Sequence, residues 1–135
     1  MNPIRKLYAE AEADTGIVVD WDKTVQPAID AGRVLIHYSL HSKEPVGFLQ
    51  WVEVADPDTH EVMWIERMLW VRPEARGTTA AAWLISKWKH RARRAGSPIS
   101  LVAGASIADP EIARRLYQGL GFNVTYGFKK RMNDV

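Results

Sequence analysis

Hydrophobic positions along the chain change period several times, and each change marks an element. Ile4, Leu7, Tyr8 and Ala11 recur at helical spacing within Pro3 to Asp14, so a first helix is expected there, stopping near Gly16. A second, shorter helix is read from Asp22 to Ala31, capped by Asp20 or Asp22 and followed by Gly32. From Arg33 to Ala55 the period becomes two. Val34, Ile36, Tyr38 and Leu40 share one face, the turn Ser42-Lys43-Glu44-Pro45 follows, and Val46, Phe48 and the Trp51-Val52 region return, which predicts a β-hairpin. A turn at Asp56-Pro57-Asp58 leads to a third strand, Val62 to Val71, rich in large apolar residues.

Pro73 and Gly77 break that strand. Thr78 to Ala95 then carries Ala81, Leu84, Ile85, Trp88 and Ala92 on one side, with Lys87, Lys89, Arg91, Arg93 and Arg94 largely on the other, an amphipathic helix. Pro98 to Ala103 reads as a short strand. Asp109-Pro110 caps a helix from Glu111 to Leu120 that ends at Gly121, and Phe122 to Lys130 is a last strand. The order is helix, helix, three antiparallel strands, helix, strand, helix, strand. It predicts an α/β (α+β) fold with a mixed, mostly antiparallel central sheet flanked by helices.

With 135 residues, one domain over 1–135 is expected. Six Trp stand in this short chain, each able to bury roughly 200 Å², so Trp21, Trp51, Trp64, Trp70, Trp83 and Trp88 either anchor a core or line a groove, with the core the simpler reading. The absence of Cys excludes disulfides, a thiolate nucleophile and cysteine-ligated zinc, and makes a reducing, cytoplasmic setting the default. No membrane span, leader or lipidation signal is read. The net charge of +2 is mild, and much of the positive charge gathers at Lys87 to Arg94 and Lys129 to Arg131. Those clusters suit coenzyme phosphates or a solvated helix face; binding of nucleic acid through them is the weakest of the readings.

The segment that bears on chemistry is Trp70-Val71-Arg72-Pro73-Glu74-Ala75-Arg76-Gly77-Thr78-Thr79-Ala80-Ala81, where an apolar strand meets a Gly-containing loop that opens a helix. Amides of a first helical turn lack intrahelical acceptors and the dipole adds partial positive charge. With Arg72 and Arg76 nearby, this is a natural pyrophosphate site, although a plain strand-to-helix turn fits the same residues.

The run Val71-Arg72-Pro73-Glu74-Ala75-Arg76-Gly77 followed by a helix resembles the GNAT superfamily of N-acetyltransferases, in particular its compact phage and bacterial members. So does Ala113-Arg114-Arg115-Leu116-Tyr117-Gln118-Gly119-Leu120-Gly121-Phe122, which is similar to that family's A-x-x-L-Y-x-x-x-G-F segment. The resemblance extends from about Glu66 to Lys130. It implies a sheet with a splay between its two central strands, here Val62 to Val71 and Pro98 to Ala103, in which acetyl-CoA lies as cosubstrate, with no metal. Its pantetheine would pair with strand backbone over Leu69, Trp70 and Val71. Its pyrophosphate would be held by Arg76, Gly77, Thr78, Thr79, Ala80 and Ala81, with Arg72 or the basic groups of the long helix reaching the nucleotide phosphate.

The implied activity is transfer of an acetyl group to a primary amine of a small molecule or a protein by direct attack. An amine with a pKa of about 10.4 is mostly protonated at neutral pH, so a base is useful. The resemblance points to Glu66 as that base, against a plain ion pair with Arg67 or another Arg. It points to Tyr117 as the acid that protonates the departing thiolate, against an ordinary core role beside Leu116 and Leu120.

Three features depart from the family pattern. Thr79 stands where the loop usually has glycine, so it either crowds the phosphates or donates its hydroxyl to one. Pro110 stands where many relatives carry Asn, and no first strand is recognisable unless Ile17 to Val19 supplies one. A GNAT-fold structural or interaction protein without turnover is therefore the alternative, with a virion or host protein as its partner; a homodimer stays open under either reading. His37 and His41 could share a strand face, but no third ligand accompanies them, and no serine sits in a nucleophile elbow.

Overall fold

The computed structural model describes residues 2–101, 115 and 118–121. Helix α1 (Pro3–Thr15) starts at Asn2, whose side chain accepts from the Ile4 amide, and ends at Gly16. A π-helical turn (Trp21–Val25) capped by Asp20 leads into the short helix α2 (Gln26–Asp30). The single helix expected from Asp22 to Ala31 is thus split. Pro27 has no N–H to donate back into the preceding turn, and the Gln26 amide reaches instead to the Trp21 carbonyl, five residues back.

Strands β1 (Val34–Tyr38), β2 (Pro45–Ala55), β3 (Val62–Val71) and β4 (Ile99–Ser100) form a sheet in that order. The first three are antiparallel, and β4 joins β3 in parallel through Trp64↔Ile99 and Ile65↔Ser100. Between β3 and β4 the chain crosses over through a 3₁₀ turn (Pro73–Ala75) and helix α3 (Ala80–Ala95). This is the mixed, mostly antiparallel architecture anticipated from the sequence. Leu40 does not extend the β1 face; it lies in the hairpin loop and is almost fully exposed. Ile17 to Val19 form no strand. The expected strand residues 102–103, the start of the helix from Glu111, Tyr117 and the strand from Phe122 to Lys130 lie outside the described residues. Of that last helix, Arg115, Gln118 and Gly119 are helical, and Gly121 follows its end with φ 89°.

Both faces of the sheet are covered. On one, Leu84, Ile85, Trp88 and Ala92 of α3 pack on Leu35, Leu49, Trp51, Trp64, Leu69 and Val71. On the other, Leu7, Tyr8 and Ala11 of α1 pack with Val25 on Phe48, Met68 and Trp70. Four of the six Trp are therefore core residues, each fully buried large side chain contributing about 1.5–3 kcal/mol. Gly47 lets α3 come close: a Cβ there would stand 3.1 Å from the Trp70 carbonyl oxygen and 3.4 Å from Leu84 Cδ1.

Strict alternation cannot place Trp64 on the α3 side and Met68 and Trp70 on the α1 side, since all three share parity. A β-bulge reconciles them. Gln50 pairs with Met68 but Trp51 with Glu66, so Arg67 is an extra residue that resets the alternation midway along β3. Each half of β3 thereby offers its large side chains to a covered face.

Helix α1 is fastened to the sheet by polar contacts as well as by packing. The buried Tyr8 hydroxyl donates to Gln50 Oε1 at 2.9 Å. Toward the end of the helix, Glu10 accepts from Arg72 Nε and Nη2 at 2.8 and 3.3 Å, and Glu44 adds a longer contact to the same guanidinium. One turn on, Asp14 Oδ2 accepts from Trp70 Nε1 at 2.9 Å and from Arg76 Nη2 at 2.6 Å.

Replacement of Tyr8 by Phe leaves the buried Gln50 acceptor unsatisfied and is expected to cost about 1–3 kcal/mol in denaturant unfolding, with Tyr8→Phe/Gln50→Leu recovering part of it. The Trp70 hydrogen bond, followed by that of Arg76, holds the Asp14 carboxyl below its ordinary 3.8. A depressed folded-state pKa contributes stability above the unfolded value that is lost as pH falls through the folded one. Asp14→Asn is accordingly expected to lower Tm at neutral pH, and its deficit relative to the native chain should close below about pH 4; a deficit that persists unchanged to pH 2 would exclude the charge as its cause.

Candidate functional site

The loop that joins β3 to α3 is shaped by Arg76. Its Nε donates to the Val71 carbonyl at 2.9 Å, its Nη2 reaches Asp14, and its guanidinium lies 5.8 Å from the centroid of the Trp70 ring. One side chain thus ties the last β3 residue, the end of α1 and the loop together. Arg72 is similarly held, and its hydrogen bond with Glu10 pushes its pKa further up. Neither guanidinium stands free beside the loop, contrary to the expectation that both lend open positive charge to it.

What the loop presents is backbone. Helix α3 begins at Ala80, two residues later than the sequence pattern suggests, because Thr78 and Thr79 are used to turn the chain. The Thr78 hydroxyl donates to the Ala75 carbonyl and accepts from the Ala80 amide at 3.3 Å. Thr79 is the N-cap residue, yet its side chain makes no capping bond. The first amide with an intrahelical acceptor is that of Trp83, bonded to the Thr79 carbonyl. Among the described residues, the amides of Gly77, Thr78, Thr79, Ala81 and Ala82 have no acceptor. Five N–H groups at the start of a sixteen-residue helix, in its positive dipole field, form a concentrated set of donors for an anion.

Gly77 makes this arrangement accessible. It adopts φ 80°, a left-handed conformation that other residues enter at a cost, and a Cβ built on it meets nothing within 4 Å. Gly77, Thr78 and Thr79 are exposed, Ala81 is half-buried, and Ala80 is buried beneath the helix start. These residues fit a diphosphate: donors without acceptors, open space and a threonine hydroxyl with no partner among the described residues.

The other sequence-selected positions lie along β3. Leu69, Trp70 and Val71 are buried in the strand that leads into the loop, with Trp70 on the α1 face and the other two on the α3 face. Glu66 is 1% exposed and pairs across the strands with Trp51, one residue before the bulge. Arg67 beside it is exposed, so the two adjacent charged side chains have opposite environments. Tyr117 lies outside the described residues, and its position relative to Glu66 is therefore not part of this geometry.

At the bulge the sheet borders two cavities that sequence reading did not anticipate. The larger, about 230 Å³, lies between the π turn, the start of α2 and β2–β3; the smaller, about 140 Å³, lies between residues 17–20 and the same stretch of sheet. Thr24, Gln50 and Arg67 line both. Periodicity could not reveal them, because they arise where the bulge interrupts the periodicity. Among the described residues no cluster of three or more His, Asp and Glu could hold a metal ion, and no helix is long and apolar enough to cross a membrane. His37 instead contacts the Trp83 ring, 4.6 Å between centroids, and His41 lies in the hairpin loop.

Comparison with known proteins joins these observations. A family model described as "Acetyltransferase (GNAT) domain" matches residues 31–124, more than two thirds of the chain. No curated protein sequence matches. Among solved structures, one described as a probable acetyltransferase has a TM-score of 0.74 at 18% identity, covering 90% of this chain and 83% of its own. A Trypanosoma brucei acetyltransferase gives 0.67 at 16% identity, covering 89% and 86%. A Clostridium acetobutylicum structure described as a predicted acetyltransferase with acetyl-CoA gives 0.66 at 17% identity, covering 89% and 81%. At these identities the structural likenesses establish the fold, and the family match goes further: the chain belongs to the GNAT acetyltransferases, enzymes that transfer an acetyl group from acetyl-CoA to an acceptor.

Proposed function

We propose that this protein acetylates a primary amine by direct attack of the amine on the acetyl-CoA thioester. The observation that carries the reading is the set of amides at Gly77, Thr78, Thr79, Ala81 and Ala82 that lack acceptors among the described residues, at the helix start following β3. Together with Arg76 and Ala80, which fix the loop and the first turn, they bind the pyrophosphate of the coenzyme. Thr79 contributes its hydroxyl in place of the closer backbone approach that glycine allows. The backbone over Leu69, Trp70 and Val71 takes the pantetheine, as the family resemblance implies.

In the transfer itself the amine nitrogen bonds to the thioester carbonyl carbon, the C–S bond breaks, and coenzyme A leaves as a thiolate. Glu66 takes the amine proton, directly or through water, and Tyr117 supplies the proton that the thiolate gains. Support for Glu66 is its burial at the bulge, midway along the strand that leads into the loop. Support for Tyr117 is its position in the segment Ala113 to Phe122 that resembles the family motif.

Thermal melting with acetyl-CoA tests the binding step: at about a hundred times its Kd the coenzyme should add roughly 2.7 kcal/mol of stability. Absence of a shift would favour a GNAT-fold interaction protein that no longer turns over. Gly77→Ala strains the loop by about 1–2 kcal/mol and should weaken acetyl-CoA binding roughly tenfold by calorimetry. Glu66→Gln and Tyr117→Phe should each lower kcat by about a hundredfold or more with little change in coenzyme affinity; full activity in both would remove them from the mechanism.

A further inference from the structure

The two cavities at the bulge carry a charge pattern that restricts the acceptor. The larger is lined by Lys23, Arg33 and Arg67, with no carboxylate in its wall. Arg33 is neutralised by Glu53 at 2.6 Å. Arg67 and Lys23 have no carboxylate within ion-pair distance among the described residues, and both are exposed. Asp20, in the wall of the smaller cavity, is turned to the Lys23 amide as the cap of the π turn.

The neutral groups between them are donors as well. Gln50 lines both cavities and is nearly fully buried, with its Oε1 engaged by the Tyr8 hydroxyl, which leaves its –NH₂ as the group to offer a ligand. Thr24 adds a hydroxyl to both walls. Arg67 is also the extra residue of the bulge, so the irregularity that resets β3 is what projects a guanidinium into the wall of both cavities. In the larger cavity, whose wall holds no carboxylate, this arrangement of guanidinium, ammonium, amide and hydroxyl is complementary to an oxyanion and not to a second cation.

We infer that the acceptor is an amine that also carries an anionic group, a carboxylate or a phosphate, bound by Arg67, Lys23, Gln50 and Thr24. The inference rests on the acetyl-transfer reading above and specifies its acceptor class. A polyamine or an aminoglycoside-type polycation would meet positive charge at this site.

Direct calorimetric titration of the full chain with matched pairs of amines tests it without turnover. 4-Aminobutanoate is compared with 4-aminobutanamide, and phosphoethanolamine with ethanolamine, so that the two pairs separate a carboxylate from a phosphate preference. In at least one pair the anionic member should bind about tenfold or more tightly than its neutral partner, the ratio shrinking as ionic strength rises, and Arg67→Gln should bring it close to one. Equal affinities within both pairs, no binding by any of the four, or an unchanged ratio in Arg67→Gln would each overturn the inference. The acetyl-CoA melting shift is measured on the same samples. Its presence alongside a failed titration sinks the acceptor class alone, whereas its absence removes the reading on which that class rests.

Discussion

The end of β3 is held by a pair of carboxylate–guanidinium contacts one helical turn apart. Glu10 and Asp14, four residues apart on α1, meet Arg72 and Arg76, four residues apart across the turn that follows the strand. Between the two arginines the chain leaves the sheet and makes a 3₁₀ turn, and it does so with its trajectory fixed at both ends before the loop that opens α3. Arg76 also ties the Val71 carbonyl and covers the Trp70 ring. Partly exposed ion pairs contribute little stability one at a time. Their effect here is geometric: they determine where the next five amides point.

This arrangement gives the arginines a different role from the one their sequence position suggests. A guanidinium near a phosphate loop reads as a ligand for phosphate, yet here both guanidinia are spent on α1. The positive character of the loop then comes from backbone N–H groups and the dipole of α3, which are fixed partial charges needing no side chain to be ordered at binding. Gly77 in its left-handed conformation completes the arrangement, since any Cβ would strain the turn that exposes those amides.

The bulge at Arg67 is the second constraint. A regular β3 would have put Trp64, Met68 and Trp70 on one face and left the other with a charged residue in its centre. The extra residue distributes the large side chains between α1 and α3, buries Glu66, exposes Arg67 and opens the cavities beside the π turn. Core packing and the candidate acceptor site therefore share one backbone irregularity. The π turn opposite it has its own local origin in Pro27, whose missing N–H displaces the helical hydrogen bonding.

The sequence alone determined the order of the described strands and of α1 and α3, the ends of α1 and β3, the C-terminal end of α3, the identity of the strand-to-helix loop and the choice of Leu84, Ile85, Trp88 and Ala92 as the buried face of α3. These are legible because each is a local pattern: a hydrophobic period, a cap, a breaking glycine or proline. What only the tertiary structure decided is how distant charges pair and where a strand departs from regularity. Glu10 with Arg72 and Asp14 with Arg76 are 62 residues apart, and no local energy term links them. The bulge is likewise invisible in the apolar run of β3, because its position follows from the need to satisfy two cores at once, one on each face of the sheet.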